Sequence, residues 1–206
     1  MRTVDPVKHE FRRAEILAAA GRCFARNGFH GATVAQICTE AGISSGHLYH
    51  YFANKEAIIS SMCTGVGYAT ARATEISGNP DPVAALIGEV ERLVAQDNQT
   101  SAGVWLEILA EGCRSTSIAG ILEASSAQLC GILADFLRRG QAGGQIDGGL
   151  DPDMAATMLL GIIDGFKAMS VRAPGLNDAA RSKMLDQLMR RYLSPSLQQS
   201  ALSAAH

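Results

Sequence analysis

The chain has 206 residues, enough for one large or two small domains with a hydrophobic core. Apolar residues make up 47% of the chain and charged residues 18%, a composition that excludes an intrinsically disordered protein. The net charge of −2 is small, and no unbroken apolar run has the length of about 18 residues that a membrane-spanning helix needs. We therefore expect neither a membrane span nor a signal peptide.

The charges are unevenly distributed along the chain. Residues 1–60 contain seven Lys and Arg against five Asp and Glu, whereas residues 61–206 contain eleven against fifteen. Four of the five histidines also lie in the first part. This pattern favours a nucleic-acid-binding end joined to a body with another task, although chance scatter of a few charges gives the same pattern.

The cysteines are odd in number and lack the paired C-x-x-C spacing of a zinc or redox site. They are interpreted as reduced residues that fill gaps in the core of a cytoplasmic protein. The five are Cys23, Cys38, Cys63, Cys113 and Cys130.

Apolar residues recur at helical spacing and alternating strand patterns are scarce, so the predicted fold is all-α. Residues 1–10 are predicted to form a loosely held arm carrying Arg2 and Lys8. A helix is predicted from Phe11 to Asn27, and Gly28 is a natural left-handed stop.

The next two helices are short and carry clear start signals. Thr33 is followed three residues later by Gln36, the spacing of a capping box, and Gly42 ends this helix. Ser44 is the predicted cap of a second short segment, which extends to Phe52. Two short helices joined by a glycine corner predict a helix-turn-helix.

The remaining segments are also predicted to be helical. Asn54 caps a helix that extends to about Glu75, and the Pro-containing stretch 77–82 ends it. A Gly-rich loop at 141–151 is expected to be pinned by Ile146. Further helices are predicted at 83–99, 103–112, 117–141, 152–171 and 178–193, with a frayed end from Pro195 onward.

These elements predict two domains. Residues 1–53 form a three-helix, N-terminal helix-turn-helix domain that binds DNA, and residues 54–206 form a helical domain for ligand binding and dimerisation. The boundary falls inside or beside the helix that begins at Asn54.

The second short helix has the properties of a DNA reader. At 100° per residue, Leu48 and Phe52 point into the core while Gly46, His47 and His50 face outward. Such a helix fits the major groove, with His47 as the best candidate for a base contact. The candidate DNA-binding residues are Thr33, Ser44, Ser45, Gly46, His47, Tyr49, His50, Tyr51 and Lys55. The alternative is that His47 and His50 are solvated and that the tyrosines serve packing. A metal pair of His47 and His50 is weaker still because a third ligand is missing, so we expect no metal and no cofactor.

The segment Gly28–Thr33, the segment Ala41–Phe52 and the triplet Asn54-Lys-Glu56 closely resemble the signature of the TetR/AcrR family of transcriptional regulators. The match is dense over Ile16–Ile59. The resemblance implies a homodimeric repressor that leaves its operator when a small molecule binds the C-terminal domain. It also implies phosphate contacts for Thr33, Tyr49, His50 and Lys55, with residues 44–47 at the groove. Ser45 and His47 depart from common choices of the family, so the operator sequence does not transfer.

Two apolar faces near the C-terminus predict the dimer interface, around a two-fold axis and therefore on a palindromic operator. The alternative is that these faces belong to the core of one subunit. The candidate dimerisation residues are Met158, Gly161, Ile162, Gly165, Phe166, Leu185, Leu188 and Met189.

The C-terminal body contains few charges, which favours an apolar or aromatic effector. Each candidate pocket residue, taken by itself, is more typical of ordinary core than of a ligand site. The candidates are Met62, Cys63, Val66, Trp105, Leu109, Cys113 and Phe136.

Other functions find less support. No Gly-rich phosphate loop, nucleophile elbow or carboxylate pair is present, so an enzyme is not expected. A helical carrier, a constitutive architectural DNA binder and an oxidant sensor using Cys63 or Cys113 remain alternatives. We expect double-stranded DNA, an unidentified small effector and a second copy of the chain as partners.

Overall fold

The computed structural model describes residues 6–63, 72–73, 75–76, 78–96 and 99–195. Among these residues every regular element is helical, which confirms the all-α prediction. The helices are α1 Pro6–Gly31, α2 Val34–Ala41, α3 Ser45–Tyr51, α4 Lys55–Cys63, α5 Pro82–Gln96, α6 Gln99–Gly112, α7 Thr116–Ala142, α8 Pro152–Arg172 and α9 Asp178–Leu193.

Helix α1 begins earlier than the sequence predicts. The first helical residue is Pro6, which needs no hydrogen-bond partner for a backbone N–H in the first turn. Residues 6–10 are therefore helix and the predicted arm is wrong for them, while residues 1–5 lie outside the described part. The break predicted at Gly28 is confirmed, because its backbone has φ 68° and ψ 171°. One further helical turn leads to Gly31.

The described residues form two compact units. The first contains residues 6–63 and 99–125, so α6 and the start of α7 pack with the four N-terminal helices α1 to α4. The reason is a shared core, in which Val104, Ile108 and Ile118 join Leu48 and Phe52. The hydrophobic core therefore continues across the predicted domain boundary at residue 53. A functional boundary at that position stays a prediction.

The second unit contains residues 72–96 and 126–195 within the described part. Its core is built from α5, the second half of α7, α8 and α9. Ile146 is 1% exposed and its Cδ1 lies 2.5 Å from where a Cβ on Gly140 would stand. The predicted pinning of the Gly-rich loop by Ile146 is confirmed.

Two helices, α7 and α8, are long and apolar enough to cross a membrane by length and composition alone. Core helices of soluble proteins meet the same criterion, so this is weak evidence. Several apolar residues of α8 are exposed in the single chain.

Candidate DNA-binding surface

Helix α2 is fixed at both ends by local hydrogen bonds. The Thr33 hydroxyl accepts the backbone N–H of Gln36 at 3.2 Å, and the Gln36 side chain accepts the N–H of Thr33 at 2.8 Å. At the other end Gly42 has φ 64° and its N–H is donated to the carbonyls of Cys38 and Thr39. The predicted capping box and the glycine corner are both confirmed.

Helix α3 presents its outer face to solvent. Ser44 caps it, accepting the N–H of His47 at 3.2 Å. Leu48 is 0% exposed and Phe52 2%, and these two residues anchor the inner face as predicted. The predicted outer residues follow the pattern: Ser45, Gly46, His47, Tyr49 and His50 are exposed, and Tyr51 is half-buried.

Ion pairs hold α2 against α1. Glu40 receives hydrogen bonds from Arg22 at 2.6 Å and from Arg26 at 2.5 Å. The bonds from Arg22 and then from Arg26 lower the pKa of the Glu40 carboxyl below its ordinary value. This pairing therefore links α2 to α1 by side chains.

Lys55 occupies a position that the sequence does not reveal. Its ammonium donates to the carbonyl oxygens of Phe29 at 2.6 Å and Ala32 at 3.1 Å, and it lies 4.2 Å from the centre of the Phe29 ring. Two of its three protons therefore serve the corner between α1 and α2. A phosphate contact through Lys55 stays a prediction, and it competes with these bonds.

The same corner is held from α6 by two carboxylates. Glu107 accepts the backbone N–H of Phe29 at 3.1 Å. Glu111 is 1% exposed and pairs with His30 at 2.9 Å and with Arg114 at 3.2 Å. In the sequence, these contacts are indicated only by the four-residue spacing of the two glutamates on one helix. That spacing does not indicate which residues they contact.

His9 also joins the surface unexpectedly. Its ring stacks on Tyr51 of α3 with centroids 4.6 Å apart and an angle of 29° between the planes. This contact is possible because α1 extends back to Pro6. The sequence analysis, which predicted a loosely held arm for residues 1–10, did not predict it.

The candidate pocket residues are not gathered into one core. Met62 and Trp105 are half-buried against the core of the first unit, and Cys63 is buried in it. Leu109 is half-buried and Cys113 is exposed. Phe136 is 1% exposed in the core of the second unit, and Val66 lies outside the described residues. A role of Phe136 as a pocket wall stays a prediction.

The candidate dimerisation residues separate into two groups. Phe166, Leu185 and Met189 are 7%, 2% and 1% exposed and lie in the core of the second unit, so a contact of theirs with a second copy stays a prediction. Ile162 is half-buried. Met158 is 51% exposed and Leu188 44%, and a Cβ on Gly161 or Gly165 would meet nothing within 4 Å.

The exposed members lie on two helices, α8 and α9. Met154 and Met158 precede Gly161 and Gly165 at helical spacing on α8, and Met184 precedes Leu188 by four residues on α9. The hydroxyl of Tyr192 on α9 donates to the sulfur of Met158 on α8 at 3.2 Å, which links the two groups of residues. We call these six residues and Tyr192 the α8–α9 face.

Within the described ranges, no group of three His, Cys, Asp or Glu side chains is placed to hold a metal ion.

Comparison with known proteins matches the chain in two parts. Residues 16–62 match the model of bacterial regulatory proteins of the tetR family, and residues 83–197 match the C-terminal part of BetI-type transcriptional repressors. The HTH-type transcriptional regulator UidR of Escherichia coli strain K12 is 32% identical over 157 residues, which cover 76% of this chain and 80% of that protein.

Solved structures share the whole fold. GusR of Salmonella enterica is 29% identical with a TM-score of 0.71, covering 88% of this chain and 95% of that one. FadR of Bacillus subtilis, solved with stearoyl-CoA, is 27% identical with a TM-score of 0.71, covering 85% and 96%. These similarities confirm the resemblance that the motif between Gly28 and Glu56 predicts. The chain therefore belongs to the tetR family of bacterial regulatory proteins and is a ligand-responsive, DNA-binding transcriptional repressor.

Proposed function

We propose that this repressor acts in the cytoplasm as a homodimer that reads a palindromic operator with α3 and leaves it when a largely apolar molecule binds. The observation that carries the proposal is the two-sided design of α3. Its inner face is sealed by Leu48 and Phe52, while five consecutive or near-consecutive polar positions lie exposed on the outer face. The role is regulatory rather than catalytic.

The surface divides into base and phosphate contacts. His47 lies in the first turn of α3, where side chains reach base edges, and Gly46 beside it allows close approach. Hydroxyls and ring N–H groups of the flanking residues suit phosphate oxygens. These flanking residues are Thr33, Ser44, Ser45, Tyr49, His50 and Tyr51, with the third proton of Lys55 as a further donor.

The α8–α9 face supports the dimer. Four large apolar side chains are 44–67% exposed there, beside two glycines with open space above them. A second copy related by a two-fold axis presents the same face, so four helices pack without any other partner. Two readers related by this axis require two half-sites in inverted order.

The effector is proposed to carry a long apolar chain. The Bacillus subtilis fatty acid metabolism regulator protein is 31% identical over 156 residues, and FadR of the same species binds stearoyl-CoA. In this chain Met62, Trp105 and Leu109 are half-buried apolar residues of α4 and α6. Those two helices also supply Lys55 and Glu107, which hold the corner before α2. Binding beside them therefore acts on the reader through that corner.

The DNA half of the proposal is tested with a duplex enriched by the wild-type protein from a randomised library. Replacing His47 with Ala should change the base preference at defined positions by about 1–3 kcal/mol. Replacing Lys55 with Met should weaken binding to all sequences alike. Sequence-dependent loss for K55M together with uniform loss for H47A would reverse these two roles.

The effector half is tested through the single tryptophan, Trp105. Stearoyl-CoA should change Trp105 fluorescence and weaken operator binding by about 5–150-fold, the usual range of allosteric coupling. Coenzyme A without an acyl chain is the matched control and should do neither. If stearoyl-CoA changes neither the fluorescence nor the operator affinity, the acyl-chain effector is excluded.

A further inference from the structure

Three imidazoles from two helices meet around Tyr51. His9 of α1 stacks on its ring at 4.6 Å, and the His47 and His50 rings of α3 lie 5.5 Å from it. His9 and His50 also meet edge to face at 6.3 Å. We call His9, His47, His50 and Tyr51 the imidazole cluster.

The two α3 histidines of the imidazole cluster lie on the exposed side of α3, whereas Tyr51 is half-buried against the core and His9 is half-buried. His47 and His50 are exposed, whereas Leu48 on the opposite side is fully buried. His9 stacks on Tyr51, so the first turns of α1 lie beside the DNA-reading helix α3.

Among the described residues of α1, the carboxylates near the imidazole cluster already have cationic partners. The charged neighbours along α1 are Lys8, Glu10, Arg12 and Arg13, and the titratable group among the rings is the Tyr51 hydroxyl. Glu10 is paired with Arg13 at 3.4 Å and Glu15 with Arg12 at 2.8 Å. The carboxylates of this part of α1 are therefore already matched by guanidinium groups, and a phosphate is a suitable partner for protonated imidazoles.

We infer that His9 is a further DNA-binding residue and that the imidazole cluster takes up protons when it contacts operator phosphates. The inference rests on the proposed operator binding by α3. Histidine changes charge between about pH 5 and pH 8, and a bound phosphate favours the charged form. Operator affinity should consequently increase as the pH falls through that range. An imidazole of ordinary pKa, about 6.5, that becomes fully protonated on binding adds up to about 25-fold between pH 8 and pH 6, and partial protonation adds less.

His9 contributes in two separable ways. Its stacked ring positions Tyr51, and its charge attracts phosphate. Phe in place of His9 keeps a flat ring on Tyr51 but cannot be protonated, whereas Ala removes both. At about pH 8, where imidazole is largely neutral, H9F should bind like the wild type and H9A about threefold to tenfold more weakly.

The experiment measures the dissociation constant of each full-length protein for the library-enriched duplex at about pH 6 and pH 8 and at several salt concentrations. E123Q is the control, because Glu123 is an exposed titratable residue of the first unit that belongs neither to the imidazole cluster nor to the corner between α1 and α2. Thermal melting of each variant without DNA establishes that it is folded.

For H9F we expect the gain in affinity from pH 8 to pH 6 to be about fivefold smaller than for the wild type. At pH 6, the slope of log affinity against log salt concentration should be smaller by about the amount that one phosphate contact contributes. E123Q should keep the wild-type pH profile. If H9F and the wild type have the same pH and salt profiles, His9 does not bind DNA and the inference is overturned, while operator binding stands. If the wild type binds no duplex selectively at either pH, the proposed function fails and the inference fails with it.

Discussion

Gly28 has backbone angles that only glycine adopts at low cost, and a Cβ there would stand 2.9 Å from Oε1 of Glu107. Replacing Gly28 with Ala should lower the free energy of unfolding by about 1–3 kcal/mol, measured by urea denaturation. Gly120 on the exposed side of α7 has open space above it, so G120A is the control and should stabilise the protein slightly. Equal effects of the two substitutions would contradict this account of the corner.

The Glu40 pair gives stability a defined pH dependence. Hydrogen bonds from Arg22 and Arg26 lower the pKa of Glu40 in the folded state. The pair therefore stabilises the fold above the ordinary pKa of a glutamate, about 4.3, and this contribution is lost as the pH falls through the lowered value.

Replacing Glu40 with Gln should reduce stability near neutral pH and leave a flatter stability profile below about pH 4.5. Thermal melting of both proteins across this range measures the effect. E123Q, on an exposed position of α7, is the matched control and should reproduce the wild-type profile. If E40Q keeps the full acid-dependent loss, the arginine pairs do not stabilise the fold.

At the scale of single helices, the short reader depends on its cap. α3 has only seven residues, so few backbone hydrogen bonds hold it, and Ser44 supplies one of them. Replacing Ser44 with Ala should lower the free energy of unfolding by about 1 kcal/mol, and Asn at this position should restore most of it. Chemical denaturation of the DNA-free protein is the measurement. A loss in S44N as large as in S44A would argue against the cap.

The helices of the reader could be predicted from the sequence because their signals are local. Thr33 with Gln36, Ser44 before His47 and the glycine at 42 each act within three or four residues. Lys55 against Phe29, and His9 against Tyr51, join positions 26 and 42 residues apart. No periodic pattern in the sequence indicates such distant pairs. The corner between α1 and α2 and the imidazole cluster could therefore be recognised only in the folded structure.

At the scale of the whole molecule, the sequence predicted which helices have apolar faces but not which side of each face is covered. Met158 and Phe166 are both apolar members of α8, yet one is 51% exposed and the other 7%. The distinction depends on where α9 and α5 pack, which is a tertiary property. For the same reason, the sequence did not indicate that Phe136 lies in the core of the second unit while Met62 and Trp105 pack against the core of the first.

The α8–α9 face makes a further prediction about assembly. Replacing Met158 with Glu should convert the protein to monomers in analytical ultracentrifugation while leaving its melting curve cooperative, because the side chain is exposed. Replacing Phe166 with Ala should instead destabilise each subunit by about 3–5 kcal/mol. If M158E remains dimeric, the interface lies elsewhere on the molecule.

The central claim, that two copies of α3 read an inverted repeat, is tested most directly by titrating the full-length protein against the enriched palindromic duplex and against the same duplex with one half-site scrambled. Fluorescence anisotropy at fixed salt gives both stoichiometry and affinity. We predict two chains bound per palindrome and an affinity at least about 10³-fold above that for unrelated DNA, with most of this preference lost on the scrambled duplex. One chain per duplex, or equal affinity for the palindromic and scrambled duplexes, would contradict the account.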